Sequence, residues 1–112
     1  QPMRTLVAEM VREQILTTTG EEIPYVTAVV TEKYDDSAPN SVEIYCAIYV
    51  ERSSQKGIII GKGGAKLKQI GTQARLAFEN IVGRKVFLHL FVKVVADWRN
   101  SGRNLDEMGV YE

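Results

Sequence analysis

Four consecutive residues near the middle of the chain, Gly61-Lys62-Gly63-Gly64, combine backbone freedom with positive charge. A short apolar run at 58–60 precedes them. Apolar residues then recur at three- and four-residue spacing, which predicts a helix from about residue 64 to residue 81 with one buried face. Its apolar positions are Leu67, Ile70, Ala74, Phe78 and Ile81. Glycines let another backbone approach closely, and the free N–H groups at a helix start attract anions. The chemistry that this stretch favours is phosphate binding.

Two common phosphate-binding loops do not fit the spacing. A Walker A loop has Gly, four residues, then Gly-Lys followed by Ser or Thr, whose hydroxyl contacts the metal ion. Counted from Gly57, the pair Gly61-Lys62 comes one residue too early, and Gly63 replaces the hydroxyl. A dinucleotide-binding fold places an acidic residue about twenty positions further on. Glu79 is loosely placed for that role, but 112 residues are too few for the doubly wound sheet. An enzyme fragment that binds a nucleotide is therefore a disfavoured alternative.

The remaining pattern is Gly-x-x-Gly between two helices, preceded by Ile-Gly. This is the loop with which KH domains grip single-stranded nucleic acid. Residues 60–70 fit that pattern at every position that we require. A bare Gly-x-x-Gly is more often a simple corner between helices, whereas this extended form favours a binding function.

The charge distribution agrees with a local nucleic-acid site. Formal net charge is zero over 112 residues, which argues against a general polyanion binder. Residues 55–93 nevertheless carry eight basic residues against one acidic residue, Glu79, whereas residues 1–54 carry four basic and nine acidic residues. The neutral total hides a basic block around the glycines, as a local nucleic-acid footprint requires. A solvated helix face is the plainer interpretation of the same charges.

The elements that must position this loop follow in chain order. A helix from Pro2 to about Thr19 carries one apolar stripe and closes at Gly20. Strands are predicted at 25–34, 42–50 and 85–95, and a short helix at 56–60, capped by Ser53 or Ser54, precedes the glycines. The stripe of the first helix consists of Leu6, Val7, Met10, Val11 and Ile15. Together these elements predict an α+β fold, with a three-stranded sheet and helices packed on one of its faces.

The two long strands alternate cleanly, which predicts one core face and one outer face. The predicted core positions are Val42, Ile44, Cys46, Ile48 and Val50, then Val86, Leu88, Leu90, Val92 and Val94. The outer face would carry the aromatic residues Tyr45, Tyr49, Phe87 and Phe91. If those rings form an exposed patch, an alternative function is docking to another protein or domain. Because Cys46 and His89 are the single cysteine and the single histidine, we expect structural roles for both and no metal or cofactor. The apolar runs are too short for a membrane span.

The chain resembles the C-terminal domain of the Era GTPase family. The resemblance rests on Glu-Ile-Pro-Tyr at 22–25, on Tyr-Val-Glu-Arg-Ser-Ser-Gln-Lys-Gly-Ile-Ile-Ile-Gly-Lys-Gly-Gly at 49–64, and on residues 85–94 with Trp98-Arg99. It extends over essentially the whole chain, including the 105–110 tail. It implies one type II KH domain over residues 1–112, with a tail from about residue 98. A GTPase domain precedes this domain in the family. Because the chain starts at Gln1 without a methionine, we expect a piece of a longer protein that lacks that domain.

The resemblance also implies what the chain binds. In the family, the KH domain binds single-stranded RNA near the 3′ end of small-subunit ribosomal RNA during ribosome assembly in the cytoplasm. The implied activity is binding, not catalysis, with a GTPase domain in cis and the ribosomal subunit as partners. A docking role would engage that GTPase domain or a ribosomal protein. Gly63 departs from the family, in which a second lysine often occupies this position.

The implied site surrounds the glycines. Their backbone would lie against sugar-phosphates, with charge from Lys56, Lys62 and Lys66. Bases would lie on an apolar groove of Ile59, Ile60 and Ala65, and Gln55 and Gln69 would read base edges. The implied RNA-binding residues are Gln55, Lys56, Ile59, Ile60, Gly61, Lys62, Gly63, Gly64, Ala65, Lys66 and Gln69.

Overall fold

The structure, a computed structural model, describes residues 2–20, 23 and 27–97. Its elements are α1 (Pro2–Thr19), β1 (Ala28–Asp35), β2 (Ser41–Val50), α2 (Ser53–Ile60), α3 (Ala65–Val82) and β3 (Lys85–Val94), with a 3₁₀ turn (Lys62–Gly64) between α2 and α3. The order is the predicted one. Residues 25–26, with which the first strand was expected to begin, lie outside the described residues. The same is true of Trp98 and of residues 104–108, whose sequence would permit one helical turn.

The three strands form one mixed sheet with β2 in the centre. β1 pairs with β2 in the antiparallel direction, and its register shifts between Thr31 and Lys33. β3 pairs with β2 in parallel, so that Cys46 is opposite Leu90. A parallel connection needs a crossover, and α2, the 3₁₀ turn and α3 supply it. This leaves β3 at an edge of the sheet, beside α3.

The core lies between one face of the sheet and the helices. Every predicted core position of β2 has 0% exposure. The residues that meet them are also fully buried: Val7, Val11 and Ile15 of α1, and Ile70, Ala74 and Phe78 of α3. Burying a side chain of the size of Val, Ile or Phe stabilises the fold by about 1.5–3 kcal/mol. The alternation of β2 and the helical stripes therefore predict the core correctly.

Three local predictions are wrong. Val94 was expected on the core face of β3, but it is the last residue of the strand and is 41% exposed. Ile81 was expected to continue the buried stripe of α3, but it is 50% exposed, and Val82 packs against the core instead. The expected serine cap of α2 is absent, because the helix begins at Ser53 and its start is held by Gln55. Gln55 Oε1 accepts hydrogen bonds from Glu51 N at 3.0 Å and Arg52 N at 2.9 Å. The Gln55 side chain, at the third position of the helix, thus bonds two backbone N–H groups that a serine cap would leave unpaired.

Among the described residues, the helices are all too short or too polar to cross a lipid bilayer.

Candidate nucleic-acid interface

The glycine turn, residues 61–64, has a backbone that only glycine adopts easily. Gly61 ends α2 with φ 74° and ψ 177°, and its N–H donates to Gly57 O at 2.9 Å. A Cβ on Gly61 would lie 2.7 Å from Lys66 Cγ and 3.0 Å from Lys66 N. Real Cβ atoms are not found that close to other atoms, so position 61 requires glycine for space as well as for φ.

The next two glycines are also left-handed, but space around them is open. Gly63 has φ 63° and ψ 19°, and Gly64 has φ 80° and ψ 9°. A Cβ on either would meet no atom within 4 Å. A residue with a side chain would instead meet strain of about 1–2 kcal/mol from the left-handed conformation. The turn therefore presents bare backbone to whatever approaches it.

Positive charge and the start of a helix lie at the glycine turn, although the N–H groups of Gly61 and Gly64 already donate to Gly57 O and Gly61 O. Lys62 is exposed at its tip, and Lys66 and Lys68 follow in the first turn of α3. Gly64 occupies the N-cap position of α3 and has no side chain with which to bond the first N–H groups of the helix. Such groups carry the positive end of the helix dipole and attract anions. This end of α3 is suited to phosphate.

A groove runs from the glycine turn between α3 and the edge strand β3. We call it the α3–β3 groove; its volume is about 390 Å³. Its lining residues are Gly64, Leu67, Lys68, Gly71, Thr72, Arg75, Leu88 and Leu90. The leucines form an apolar floor, while Lys68, Thr72 and Arg75 supply polar groups. An apolar floor with a basic rim suits unstacked bases whose phosphates stay at the edge.

Gly71 keeps the α3–β3 groove open. Glycine inside a helix costs about 1 kcal/mol relative to alanine. Close packing against a neighbour is the simplest reason for such a glycine, but a Cβ at position 71 would lie 3.5 Å from Leu90 Cδ1, an ordinary contact distance. Packing therefore does not exclude alanine. A side chain at position 71 would instead occupy part of the α3–β3 groove.

The structure separates the implied site residues into two groups. Gly61, Lys62, Gly63, Gly64 and Lys66 lie together in the glycine turn and the start of α3. Ala65 and Gln69 are exposed on α3 outside the groove lining, and Lys56 lies half-exposed on α2. These positions are accessible, but they are not the groove walls.

Ile59 and Gln55 differ from their expected places. Ile59 has 0% exposure and belongs to the core, so it does not line a groove. Ile60 is half-buried and packs against the same core. Gln55 Oε1 is engaged by the two backbone amides at the start of α2. The apolar surface expected from α2 is supplied instead by Leu67, Leu88 and Leu90.

Sequence reasoning missed the groove walls because they come from two separate elements. Leu88 and Leu90 were assigned to the core face of β3, and Arg75 was counted only as charge. One signal was available: Gly71 interrupts a helix on the side that meets β3. Gly71 differs from Gly57, the other glycine inside a helix, because Gly71 lines a groove.

The outer face of the sheet carries an aromatic patch, which we define as Tyr45, Phe87, His89 and Phe91. Phe87 is 44% exposed and Phe91 is 45% exposed. The ring of Tyr45 lies 4.5 Å from that of His89 and 5.9 Å from that of Phe91, between centroids. Tyr49 is not part of the patch, because it is buried and its hydroxyl donates to Glu32 Oε2 at 3.2 Å.

Cys46 and His89 lie in surroundings that suit structural roles. Cys46 is buried, and its Sγ is 3.6 Å from Thr31 Oγ1. Burial raises the pKa of the Cys46 thiol to about 11. His89 Nε2 is 3.4 Å from Glu43 Oε2 on the outer face. In the part of the chain that the structure describes, no group of His, Cys, Asp and Glu side chains is arranged to hold a metal ion.

Comparison with known families gives one match that spans most of the chain. A family model described as "KH domain" matches residues 22–99. This range contains both helices that flank the glycine turn, and all three strands of the sheet.

Curated relatives match nearly the full chain. GTPase Era of Geotalea uraniireducens is 51% identical over 108 residues, which cover 96% of this chain and 36% of that protein. GTPase Era of Crocosphaera subtropica is 51% identical over 109 residues, which cover 97% of this chain and 34% of the relative. The chain thus spans about a third of the length of these relatives.

Two solved structures have the same fold, each with a TM-score of 0.87 and 44% identity. Each match covers 97% of this chain and 37% of the other. One is a variant of Aquifex aeolicus Era bound to GDP and aluminium fluoride. The second is Era in complex with MgGDPNP and nucleotides 1506–1542 of 16S ribosomal RNA.

Proposed function

The chain belongs to the KH domain family, and from this premise we propose that it binds single-stranded RNA through the glycine turn and the α3–β3 groove. The part of Era that the chain matches is the C-terminal KH region, not the GTPase domain. The observation that carries the proposal is geometric. The three glycines of the turn, Gly61, Gly63 and Gly64, have positive φ and no side chains, and Gly64 also lines a groove with an apolar floor and a basic rim.

The first step of binding is capture of the sugar-phosphate backbone. Gly63 and Gly64 have no side chain, and the space that a Cβ would take is open, so a phosphate can come close to the backbone of the turn. Lys62 and Lys66 supply charge on either side, and the N-terminus of α3 adds its dipole. A phosphate contact contributes affinity but little sequence preference, and salt weakens it.

The second step is placement of the bases. Leu67, Leu88 and Leu90 offer an apolar surface for base faces, while Thr72, Lys68 and Arg75 stand where base edges would lie. The groove lies between one helix and one edge strand, so unpaired bases can enter it. A duplex keeps its bases paired inside and would present its sugar-phosphate backbone to the groove instead. We therefore propose a preference for single strands.

The ligand that we propose is ribosomal RNA of the small subunit, near its 3′ end. Support comes from the solved Era complex, which contains nucleotides 1506–1542 of 16S ribosomal RNA and shares the fold at a TM-score of 0.87. On this proposal, residues 1–112 act as the KH unit of a longer cytoplasmic GTPase that takes part in assembly of the ribosomal subunit. The GTPase domain of that protein is then a partner in cis.

The test is a binding panel of single-stranded RNA, single-stranded DNA and perfect RNA duplex. Each oligomer is titrated at about 50 mM and about 200 mM salt, because phosphate contacts give a salt-dependent affinity. We expect the single-stranded RNA to bind most tightly and to weaken as salt rises. Equal or tighter binding of the duplex would contradict the proposal.

Protein docking through the aromatic patch is the second candidate, favoured by the exposure of Phe87 and Phe91. Replacing both with serine separates the two functions, because neither residue lines the α3–β3 groove. If RNA binding is the function of this chain, the double variant keeps its RNA affinity. Loss of RNA affinity in a folded double variant would place the RNA on the outer face instead.

A further inference from the structure

The first turn of α2 has no buried side chain to hold it in place. Ser53 and Ser54 are exposed, and within α2, all of which the structure describes, Ile59 near the other end is the only fully buried residue. A helix of 8 residues is too short to be stable in water through its own hydrogen bonds. The start of α2 must therefore be held by hydrogen bonds to the chain before it.

Gln55 makes those hydrogen bonds. Its Oε1 accepts from Glu51 N at 3.0 Å and from Arg52 N at 2.9 Å, and its own N–H donates to Arg52 O at 3.1 Å. The side chain and the backbone of one residue thus tie the start of α2 to the two residues that follow β2. Loss of such a cap lets the first turn of a helix unwind.

Gly57 connects the first turn of α2 with the glycine turn. Its carbonyl oxygen accepts the N–H of Gly61 at 2.9 Å, the bond that ends the helix. Glycine is a poor helix former, and a Cβ at position 57 would meet no atom within 4 Å. Neither propensity nor side-chain packing therefore keeps Gly57 helical. Unwinding that begins at Ser53 has little to stop it before it reaches the carbonyl group that holds Gly61.

We propose that Gln55 is a positioning residue for RNA binding, which keeps Gly57 helical so that the Gly57 carbonyl holds Gly61 at the entry of the glycine turn. The inference rests on the proposed function, in which the glycine turn holds the RNA backbone. Gln55 then acts through the protein and does not read a base edge, the role that the family resemblance implied. Its side chain does not line the α3–β3 groove, and its oxygen is already engaged by two amides.

The first test is Gln55→Met, which keeps the length of the side chain and removes the acceptor. The amide hydrogen of Gly61 should exchange roughly fivefold faster in the free protein, an effect of the size that loss of a helix cap gives. Single-stranded RNA should bind a few-fold more weakly. Adding Gly57→Ala should reverse both changes, because alanine stabilises the middle of α2 without touching another atom.

The second test, Gln55→Glu, separates positioning from the reading of bases. A glutamate carboxylate accepts hydrogen bonds from the same two amides and suits the start of a helix, so exchange of the Gly61 amide should stay slow. Its negative charge weakens RNA binding by itself. Ser54→Glu is the matched control, because it adds the same charge at the neighbouring exposed position. The two variants should bind single-stranded RNA equally well.

Three outcomes overturn the inference. The first is that Gln55→Met changes neither Gly61 exchange nor RNA affinity, or only one of them. The second is a loss of RNA affinity in Gln55→Met that Gly57→Ala does not restore. The third is weaker RNA binding by Gln55→Glu than by Ser54→Glu, which would show that the side chain contacts the RNA; this comparison also decides the matter if Gln55→Met does not fold. In each case the unmodified protein still binds RNA and the proposed function stands, whereas failure of the unmodified protein to bind RNA would overturn both.

Discussion

The carboxylate of Glu79 on α3 accepts a hydrogen bond from the backbone N–H of Val86 on β3, with 2.9 Å between Glu79 Oε2 and Val86 N. This bond joins the two elements that form the walls of the α3–β3 groove. The same oxygen accepts from Arg75 Nη1 at 3.1 Å. One acidic side chain therefore fixes the first residues of the edge strand and orients a cation that lines the α3–β3 groove.

Glu79 makes part of the stability dependent on acid pH. The hydrogen bond from Val86 N–H, and then the one from Arg75, lower the pKa of Glu79 below its ordinary value of 4.5. Its contribution is complete above that value and disappears as the pH falls through the lower pKa of the folded state. Glu79→Gln should therefore flatten the acid side of the stability curve. Denaturant unfolding between about pH 6 and about pH 2 measures this.

The comparison isolates Glu79, because Asp35, the other carboxyl group with a lowered pKa among the described residues, is present in both proteins. A hydrogen bond from Ser37 lowers the pKa of Asp35, which is unchanged in the variant. The difference in the free energy of unfolding between the two proteins should therefore vary with pH only near and below the ordinary pKa of a carboxyl group. A difference that is constant over the whole range would show that Glu79 acts by packing alone.

Replacing Gly71 should raise the stability of the fold and weaken RNA binding. Gly71→Ala should stabilise the folded protein by about 1 kcal/mol, since alanine favours a helix and its Cβ meets Leu90 Cδ1 at an ordinary 3.5 Å. It should also weaken RNA binding, and Gly71→Leu more strongly, because the side chain occupies the groove. Unfolding curves and RNA titrations measure the two effects.

The matched control for this prediction is Gly57→Ala. Gly57 also lies inside a helix, and a Cβ there would meet no atom within 4 Å. It should gain similar stability without losing RNA affinity, because position 57 does not line the groove. Equal RNA affinity of Gly71→Leu and the unmodified protein would show that bases do not enter there.

Cys46 should be inert in the folded protein. The side chain is fully buried, and burial raises the pKa of its thiol to about 11, so that almost none is thiolate at neutral pH. We expect a thiol reagent to label it at the rate of unfolding in buffer, and at once in denaturant. Rapid complete labelling under native conditions would contradict the buried position.

Much of the fold was predictable, because its signals are local. The strict alternation of β2 predicts a core face on which all five expected residues have 0% exposure. The stripe of α1 predicts Val7, Val11 and Ile15 in the same way. The family and the type II KH fold, predicted from the resemblance, are confirmed by the KH model match and by the TM-score of 0.87.

The site was predictable only in part, because the residues that form its walls come from two elements that are separate in the sequence. The glycine turn has its signature within a few residues, and its backbone has the positive φ values that glycine permits. The apolar run at 58–60 is too short to show which residue faces inward, and the structure buries Ile59. The groove needs β3 beside α3, a relationship that spacing along the chain does not contain. The role of Gln55 at the start of α2 likewise depends on the bend before that helix.

The central claim is that the glycine turn holds the RNA backbone, and the variant Lys62→Asp/Gly63→Asp tests it most directly. The change removes the cation at the tip of the turn and places two carboxylates against the phosphates. The fold should survive. Acidic residues are tolerated near the start of a helix, and aspartate at the left-handed Gly63, with φ 63°, costs about 1–2 kcal/mol.

The control is Lys33→Asp/Thr5→Asp, which changes the net charge by the same amount at two exposed positions away from the groove. Glu21 and Glu22, acidic positions at which a charge change would also serve for comparison, lie outside the described residues. Circular dichroism and thermal melts establish that both variants are folded, and titration with single-stranded RNA follows. We predict that binding is lost in Lys62→Asp/Gly63→Asp and nearly unchanged in the control; a folded Lys62→Asp/Gly63→Asp variant with the original RNA affinity would contradict the account.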